Sequence, residues 1–297
     1  MAITRVTQRM MSQRSQFAVQ GGLTRMAKVQ EQMETGRKLN RPSDSPAGTN
    51  TALRVRSSLA DQTQYLRNAD DGKAWLGTID STLGGVTSQV QRARVLALQG
   101  ANTGAMSQVA MESLATEVEQ IRASVLQQAN TQYLGRPVFG GTTSGGQAFD
   151  PATGDYAGDG GVVERRVGSD VTVRVDAGGV DTFGADGDNL FSHLADLATA
   201  LRASDSTGIQ ASIATLATDL TRLSAATAGE GARYNRIAKA SDLATQSQLQ
   251  LKSSLSDVED VDLAAVTIEL QTQQVAYQAA LAATGRTIQP SLLDFLR

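Results

Sequence analysis

A chain of 297 residues is long enough to bury a sizeable core, and its net charge of -3 leaves no basic excess with which to attract nucleic acid. It has no cysteine and a single histidine, His193, which excludes disulfides, thiolate nucleophiles, cysteine-bound metals and any multi-histidine metal site. Aromatic residues make up 4% of the chain against 40% for all hydrophobic residues, so the core is expected to consist of Ala, Leu, Val and Ile, which suits helix seams better than a sheet sandwich.

Residues 3 to about 35 place Ile3, Val6, Met10, Phe17, Leu23, Met26 and Met33 at helical spacing, with Gln13, Gln20 and Gln30 filling seam positions. Such a helix is marginal alone. No acidic residue precedes Glu31, whereas Arg5, Arg9, Arg14, Arg25 and Lys28 are present. Organellar transit peptides share that bias, but here the helical pattern runs on without interruption, as in a structural segment. No apolar core with a small-residue cleavage site follows the first residues, so no cleaved secretory signal is expected. Residues 263–285 are the best candidate for a membrane span, but Glu269 and several glutamines interrupt them.

The stretch GRKLNRPSDSPAG, residues 36–48, stops the first helix. Gly36 fits a helix C-cap, and Ser45 followed by Pro46 fits an N-cap and first turn. Taken alone, this basic loop reads as a solvated connector. From Leu76 the seam becomes regular, with Leu76, Ile79, Leu83, Val86, Val90, Ala93 and Ala97 in alternating steps of three and four. Glycines at 100 and 104 break the pattern, and it resumes as Met111, Leu114, Val118, Ile121 and Val125, so an antiparallel helical hairpin is expected.

Between residues 135 and 187 glycine dominates and the helical period disappears. Residues 171–176 alternate apolar and polar side chains, and residues 162–167 supply a second strand joined through Gly168-Ser169, so a small β-rich insertion is expected. Helix returns near Ser192, with His193 reading as a solvated or capping residue. The last helix is expected to begin near Arg233, after Gly229 and Gly231, and to run to Thr284. It carries two apolar stripes, one through Val261, Ala265, Ile268, Thr272, Val275, Ala279 and Ala282, the other through Leu263, Val266, Leu270, Tyr277 and Leu281. Val261 and Leu263 lie about 200° apart around a helix, so one neighbour does not cover both stripes. Either this helix is central to an ordinary bundle or it has an uncovered face for other molecules. The acidic cluster Asp257, Glu259, Asp260 and Asp262 complements the basic first helix. The expected fold is mainly α, a long antiparallel coiled-coil bundle of the N- and C-terminal segments with a small β-rich inserted domain. Its expected divisions are residues 1–40 with 257–297, 41–135 with 190–256, and 136–189.

No catalytic constellation stands out. Paired carboxylates, such as Asp70-Asp71, sit on polar helical faces. The glycine-rich run at 140–146 lacks the Lys-Ser/Thr of a phosphate loop, and Asp186-Gly187-Asp188-Asn189 lacks calcium-loop spacing. No cofactor and no metal are expected.

Several motifs in order nevertheless resemble the flagellin superfamily. They are the opening loop at 36–48, Leu66-Arg67-Asn68-Ala69-Asp70-Asp71-Gly72 with Trp75-Leu76, Leu98-Gln99-Gly100-Ala101-Asn102-Thr103, and Ala129 through Gly141, which reads ANTQYLGRPVFGG. Tyr156-Ala157-Gly158-Asp159 and Ser256 through Asp262 extend the resemblance to nearly the whole chain. The ending IQPSLLDFL and the Phe-Gly-Gly at 139–141 are similar to the branch that joins hook to filament, with a short filament flagellin as the alternative. Asp44-Ser45 departs from the two adjacent aspartates usual in filament loops.

The resemblance implies a structural component of the bacterial flagellum and not an enzyme. It is exported by the flagellar type III system without a cleaved signal, and its terminal helices order only on assembly. Implied partners are other copies in a ring, an adjacent hook-associated protein, flagellin and an export chaperone, with no nucleic acid and no membrane insertion. Candidate subunit-interface residues are Ile3, Val6, Met10 and Phe17 in the first helix, Val261, Leu263, Ile268, Leu270, Val275 and Tyr277 in the last, and Leu292 and Phe295 beyond it. Arg37, Lys38, Arg41 and Asp44 form the candidate inter-subunit loop. A rival of another class is a hydrolase or adhesin that uses the β insertion on a helical stalk.

Overall fold

Long helices dominate the computed structural model, which describes residues 8–102, 106–144 and 146–288. The chain divides into two compact units: Asp61–Ser247 forms one, and Met1–Ala60 with Gln248–Arg297 forms the other.

In the central unit, the heptad helix α2 (Pro46–Gly100) buries every expected seam residue from Leu76 to Ala97. Helix α3 (Gln108–Ala129) returns antiparallel to it. Arg92 pairs with Glu117 at 2.7 Å, and Gly100 lies against Leu114, so the expected hairpin is present. Ser107 caps α3 by accepting from the Ala110 amide. Helix α5 (Leu190–Arg202) packs on α3, with Arg202 bridging Glu112 and Glu119 at 2.9 and 2.6 Å. Its N-terminus is a reciprocal capping box between Asn189 and Ser192.

The segment between α3 and α5 has fewer strand residues than its sequence suggests. It contains three two-stranded pieces: β1 (Gln132–Tyr133) with β2 (Arg136–Pro137), β3 (Glu164–Arg166) with β4 (Thr172–Arg174), and β5 (Gly184–Ala185) with β6 (Asp188–Asn189). The expected hairpin is there, with Arg165 opposite Val173, but it is short. Aromatic packing does much of the work that longer ladders would do. Phe139, Phe149, Phe183 and Phe191 are all buried, and the Phe149 ring centroid lies 5.2 Å from Phe183 and 5.1 Å from Phe191. The short helix α4 (Gly179–Phe183) carries one of these rings. The Asn130 side chain joins this layer to α3, exchanging two 2.9 Å hydrogen bonds with the Phe149 backbone as a neighbouring strand would.

Helix α6 (Ser206–Glu259) corrects the expected restart near Arg233, because it runs unbroken through Gly229 and Gly231. A glycine weakens a helix by only about 1 kcal/mol relative to alanine, and burial of Leu223 and Ile237 on either side outweighs that. The break comes instead at residues 260–262, before α7 (Leu263–Ile288). There Asp262 caps α7 by accepting from the Ala264 and Ala265 amides at 2.9 and 3.2 Å.

His193 is likewise not a solvated residue. Its ring lies between Asp219, 2.7 Å from Nδ1, and Asp188, 2.9 Å from Nε2. Burial disfavours the imidazolium, but the two carboxylates outweigh it and raise the histidine pKa. Burial raises the Asp219 carboxyl above its ordinary value, against the pull of His193 and Arg222. A second buried acid, Glu230, is pushed up to about 7 by desolvation, with Arg233 2.7 Å away opposing the shift.

Candidate assembly surface

Helix α1 (Gln8–Thr35) pairs antiparallel with α7. Ser15 and Thr284 share a 2.6 Å hydrogen bond, Arg25 reaches Gln273 at 3.4 Å, and Gly22 lies against the Tyr277 ring. The α1 side of this seam is Ser15, Val19, Gly22, Met26 and Val29, in alternating steps of four and three. Besides Met26 this face is Ser, Gly and Val, and the other large apolar side chains of the helix are elsewhere. Phe17 is 72% exposed, and Met10, Leu23 and Met33 are exposed too. The α1 seam therefore keeps Met26 of the expected residues and otherwise differs from the one that residue size suggested.

One of the two α7 stripes is covered in its middle, while its ends Leu263 and Leu281 are exposed. Val266 is buried, and Leu270 and Tyr277 are half-buried toward α1. The opposite stripe faces outward, with Ile268 65% and Val275 66% exposed. Together with Gln271, Thr272, Ala276 and Ala279 these two residues line an open apolar groove. Among the other expected interface residues, Leu263 is exposed and Val261 half-buried. Ile3, Val6, Leu292 and Phe295 lie outside the described residues.

The loop at 36–45 does more than connect. Gly36 takes a left-handed φ of +69°, which a glycine tolerates where other residues strain, and it ends α1. Ser45 caps α2 by accepting from the Gly48 amide at 3.1 Å. Between these caps the chain pairs with the break before α7. Arg37 and Asp260 form an antiparallel backbone bridge, in which the Lys38 amide donates to the Glu259 carbonyl at 2.8 Å and the Val261 amide donates to the Gly36 carbonyl at 3.0 Å. Sequence reasoning missed this miniature ladder, because its two strands come from opposite ends of the chain. Lys38 Nζ also reaches the Asp257 carbonyl at 2.9 Å, and Arg56 pairs with the nearly buried Glu259 at 2.8 Å. Of the acidic side chains in the cluster, Glu259 is met by Arg56, where the sequence pointed to the first helix.

Asp44 organises the loop itself. It accepts from the Asn40 and Arg41 amides at 3.2 and 2.9 Å and pairs with Lys28 at 2.9 Å. The bond to Lys28, then the loop amides, hold its carboxyl below the usual carboxylate range. Arg41 extends to Glu31 at 3.4 Å and stays largely exposed, as does Arg37. The site thus combines two terminal helices joined through polar contacts at the connector with exposed apolar side chains on α7. Among the described residues no cluster of histidine, cysteine or acidic side chains could hold a metal ion, and no helix is long and apolar enough to cross a membrane.

Residues 6–144 match the bacterial flagellin N-terminal helical region, and residues 213–296 match the bacterial flagellin C-terminal helical region. Flagellar hook-associated protein 3 of Salmonella typhimurium is 26% identical over 300 residues, spanning 93% of this chain and 94% of that protein. Flagellin of the same organism is 33% identical over 90 residues, or 30% of this chain and 18% of the flagellin. Among solved structures, FlgL of Xanthomonas campestris aligns with a TM-score of 0.62 at 19% identity, covering 68% of this chain and 99% of that one. The flagellar junction protein FlgL from Legionella pneumophila aligns at 0.58 with 14% identity, covering 71% and 100%. Those two likenesses speak to the fold. With both helical regions matched in order and the folded architecture shared, the chain belongs to the bacterial flagellin family.

Proposed function

We propose that this chain is the subunit that joins the flagellar hook to the flagellin filament, a non-enzymatic adaptor. The observation that carries the reading is the asymmetry of the matches: hook-associated protein 3 aligns end to end, whereas flagellin aligns over a fraction of its own length. The geometry supports it physically. A helix pair with one bare apolar stripe gains further hydrophobic stabilisation from neighbouring molecules.

In this reading residues 1–40 with 257–297 form the assembly domain, residues 41–135 with 190–256 the supporting bundle, and residues 136–189 an outward insertion. Copies arranged in a ring contact an adjacent hook-associated protein on one side and flagellin on the other, with Arg37 and Arg41 facing a neighbouring subunit. The chain reaches the cell exterior through the flagellar type III system without a cleaved signal, accompanied beforehand by an export chaperone on its C-terminal region. Deletion tests the reading. Cells lacking the chain should carry intact hooks without filaments and release flagellin into the medium, as seen by electron microscopy. Long filaments grown from purified chain on isolated hooks would show a short flagellin instead.

A further inference from the structure

Three features of the central unit are not accounted for by its own packing. The first is the turn between β1 and β2. Tyr133 and Arg136 pair across a two-residue loop in which Leu134 and Gly135 both have positive φ, +50° and +76°. Such turns call for Asn, Asp or Gly at the first position, and a leucine there is strained. Leu134 is also 80% exposed, so no internal contact compensates the strain.

The second is a pair of glycines. Gly77 in α2 and Gly231 in α6 lie in helices where an added Cβ would meet nothing within 4 Å, and alanine would favour both helices. What they do is keep a groove of about 410 Å³ open, lined also by Leu76, Asp80, Glu230 and Tyr234. The third is Glu230 itself. It is 4% exposed and lines that groove. One carboxylate oxygen meets Arg233, and the other has no hydrogen-bond partner among the described residues.

We propose that the Leu134 turn of one copy seats in the α2–α6 groove of the next. Leu76 and Tyr234 offer the leucine apolar cover. The acidic Asp80, with Glu230 beside it, faces the cation that flanks the turn, Arg136, which stands 6.0 Å from the Trp75 ring centroid. The Arg136 Nε has no hydrogen-bond partner among the described residues, whereas Arg165 is held by Asp71 at 2.6 Å. The groove is lined by none of the turn's residues, so the contact is head-to-tail and closes into a ring or continues as a helix. It rests on the self-assembly reading above and adds to it a lateral interface away from the terminal helices.

The absence of native cysteine makes the contact directly testable. The full-length Leu134→Cys/Gly231→Cys variant is expressed in cells lacking the native chain, and isolated flagella are oxidised and run on a non-reducing gel. A ladder of covalent oligomers is expected, absent from either single variant and from a Leu134→Cys/Val180→Cys control. Flagella that contain the double variant yet release only monomer overturn the contact and leave the junction reading standing. If even the native chain is missing from isolated flagella, the junction reading fails and the contact with it. Should the double variant not incorporate, Leu134→Asn decides. Relief of the turn is expected to raise the Tm of the purified chain by about 2–4 °C while junction formation falls. A raised Tm with wild-type junctions refutes the proposal.

Discussion

The Ile268→Ala/Val275→Ala double variant separates folding from assembly. Full burial of an aliphatic side chain is worth about 1.5–3 kcal/mol. With Ile268 65% and Val275 66% exposed, roughly a third of that acts in the free chain, or about 1–2 kcal/mol for the pair. Alanine returns up to about 0.5 kcal/mol per position through helix propensity. The net change in the free chain should therefore stay within about 1 kcal/mol. Covering the stripe in an assembly would recruit the other two thirds, about 2–4 kcal/mol, equivalent to roughly 30- to 1,000-fold in affinity. Urea unfolding of the free chain gives the first number, and the concentration dependence of incorporation onto isolated hooks gives the second. Leu83→Ala, in the closed heptad seam, is the internal standard, expected to cost about 2–5 kcal/mol. If the double variant destabilises the free chain as much as Leu83→Ala does, the stripe is already covered. If it incorporates at wild-type concentrations, the stripe plays no part in docking.

Hydrogen exchange on the free chain should show α1 and α7 exchanging well before the heptad part of α2, and equal protection would contradict the marginal terminal pair. Arg56→Ala leaves Glu259 nearly buried without its cation. It should destabilise the terminal unit by about 1–3 kcal/mol, below the range for a fully buried pair because Arg56 is half exposed, measured by chemical denaturation. Glu230 gives a pH dependence of definite sign. Its folded pKa of about 7 lies above the ordinary glutamate value of 4.5, so the fold prefers the neutral acid. The associated stability is fully present below 4.5, declines as pH rises and is lost above about 7, a change on the order of 3 kcal/mol. The raised histidine at 193 acts in the same direction, so the quantity to measure is the difference between wild type and Glu230→Gln. That variant should flatten the decline between pH 4.5 and 7, and an unchanged slope would place the titration elsewhere.

How much was readable in advance depended on whether a pattern was local. The seam from Leu76 to Ala97 and its continuation from Met111 to Val125 were legible, because steps of three and four among large apolar residues have one low-energy use, a packed helical hairpin. The caps at Gly36 and Ser45 were legible for the same reason. Residue size is a poor guide to the first helix, whose inner face is Ser15, Val19, Gly22, Met26 and Val29 and whose phenylalanine points outward. The glycines at 229 and 231 looked like breaks, but two weak helix formers do not outweigh a buried face. The true break was written as Asp262 before the apolar run of α7, an N-cap signal that the longer periodicity obscured. His193 between Asp188 and Asp219, and the ladder joining 36–38 to 259–261, depend on contacts distant in sequence, and no local pattern encodes them.

The terminal unit divides its interactions in a way that bears on assembly. Directional bonds set the register of the two ends: the backbone ladder, the Arg56–Glu259 pair and the Lys28–Asp44–loop network all lie at the connector. Such bonds contribute about 1 kcal/mol each, enough to fix geometry but little to drive association. Burial of Phe17, Ile268 and Val275 contributes little in the free chain, because the helices meet through other faces, Val266, Leu270 and Tyr277 on α7 and Val19, Gly22, Met26 and Val29 on α1. Exchanging the two faces, with phenylalanine inward and serine and glycine outward, would give a more stable monomer with nothing apolar to offer a neighbour. The arrangement present does the reverse. With the connector already ordered, less conformational entropy would remain to be lost on the docking proposed above, and the hydrophobic gain would come from the contact between molecules.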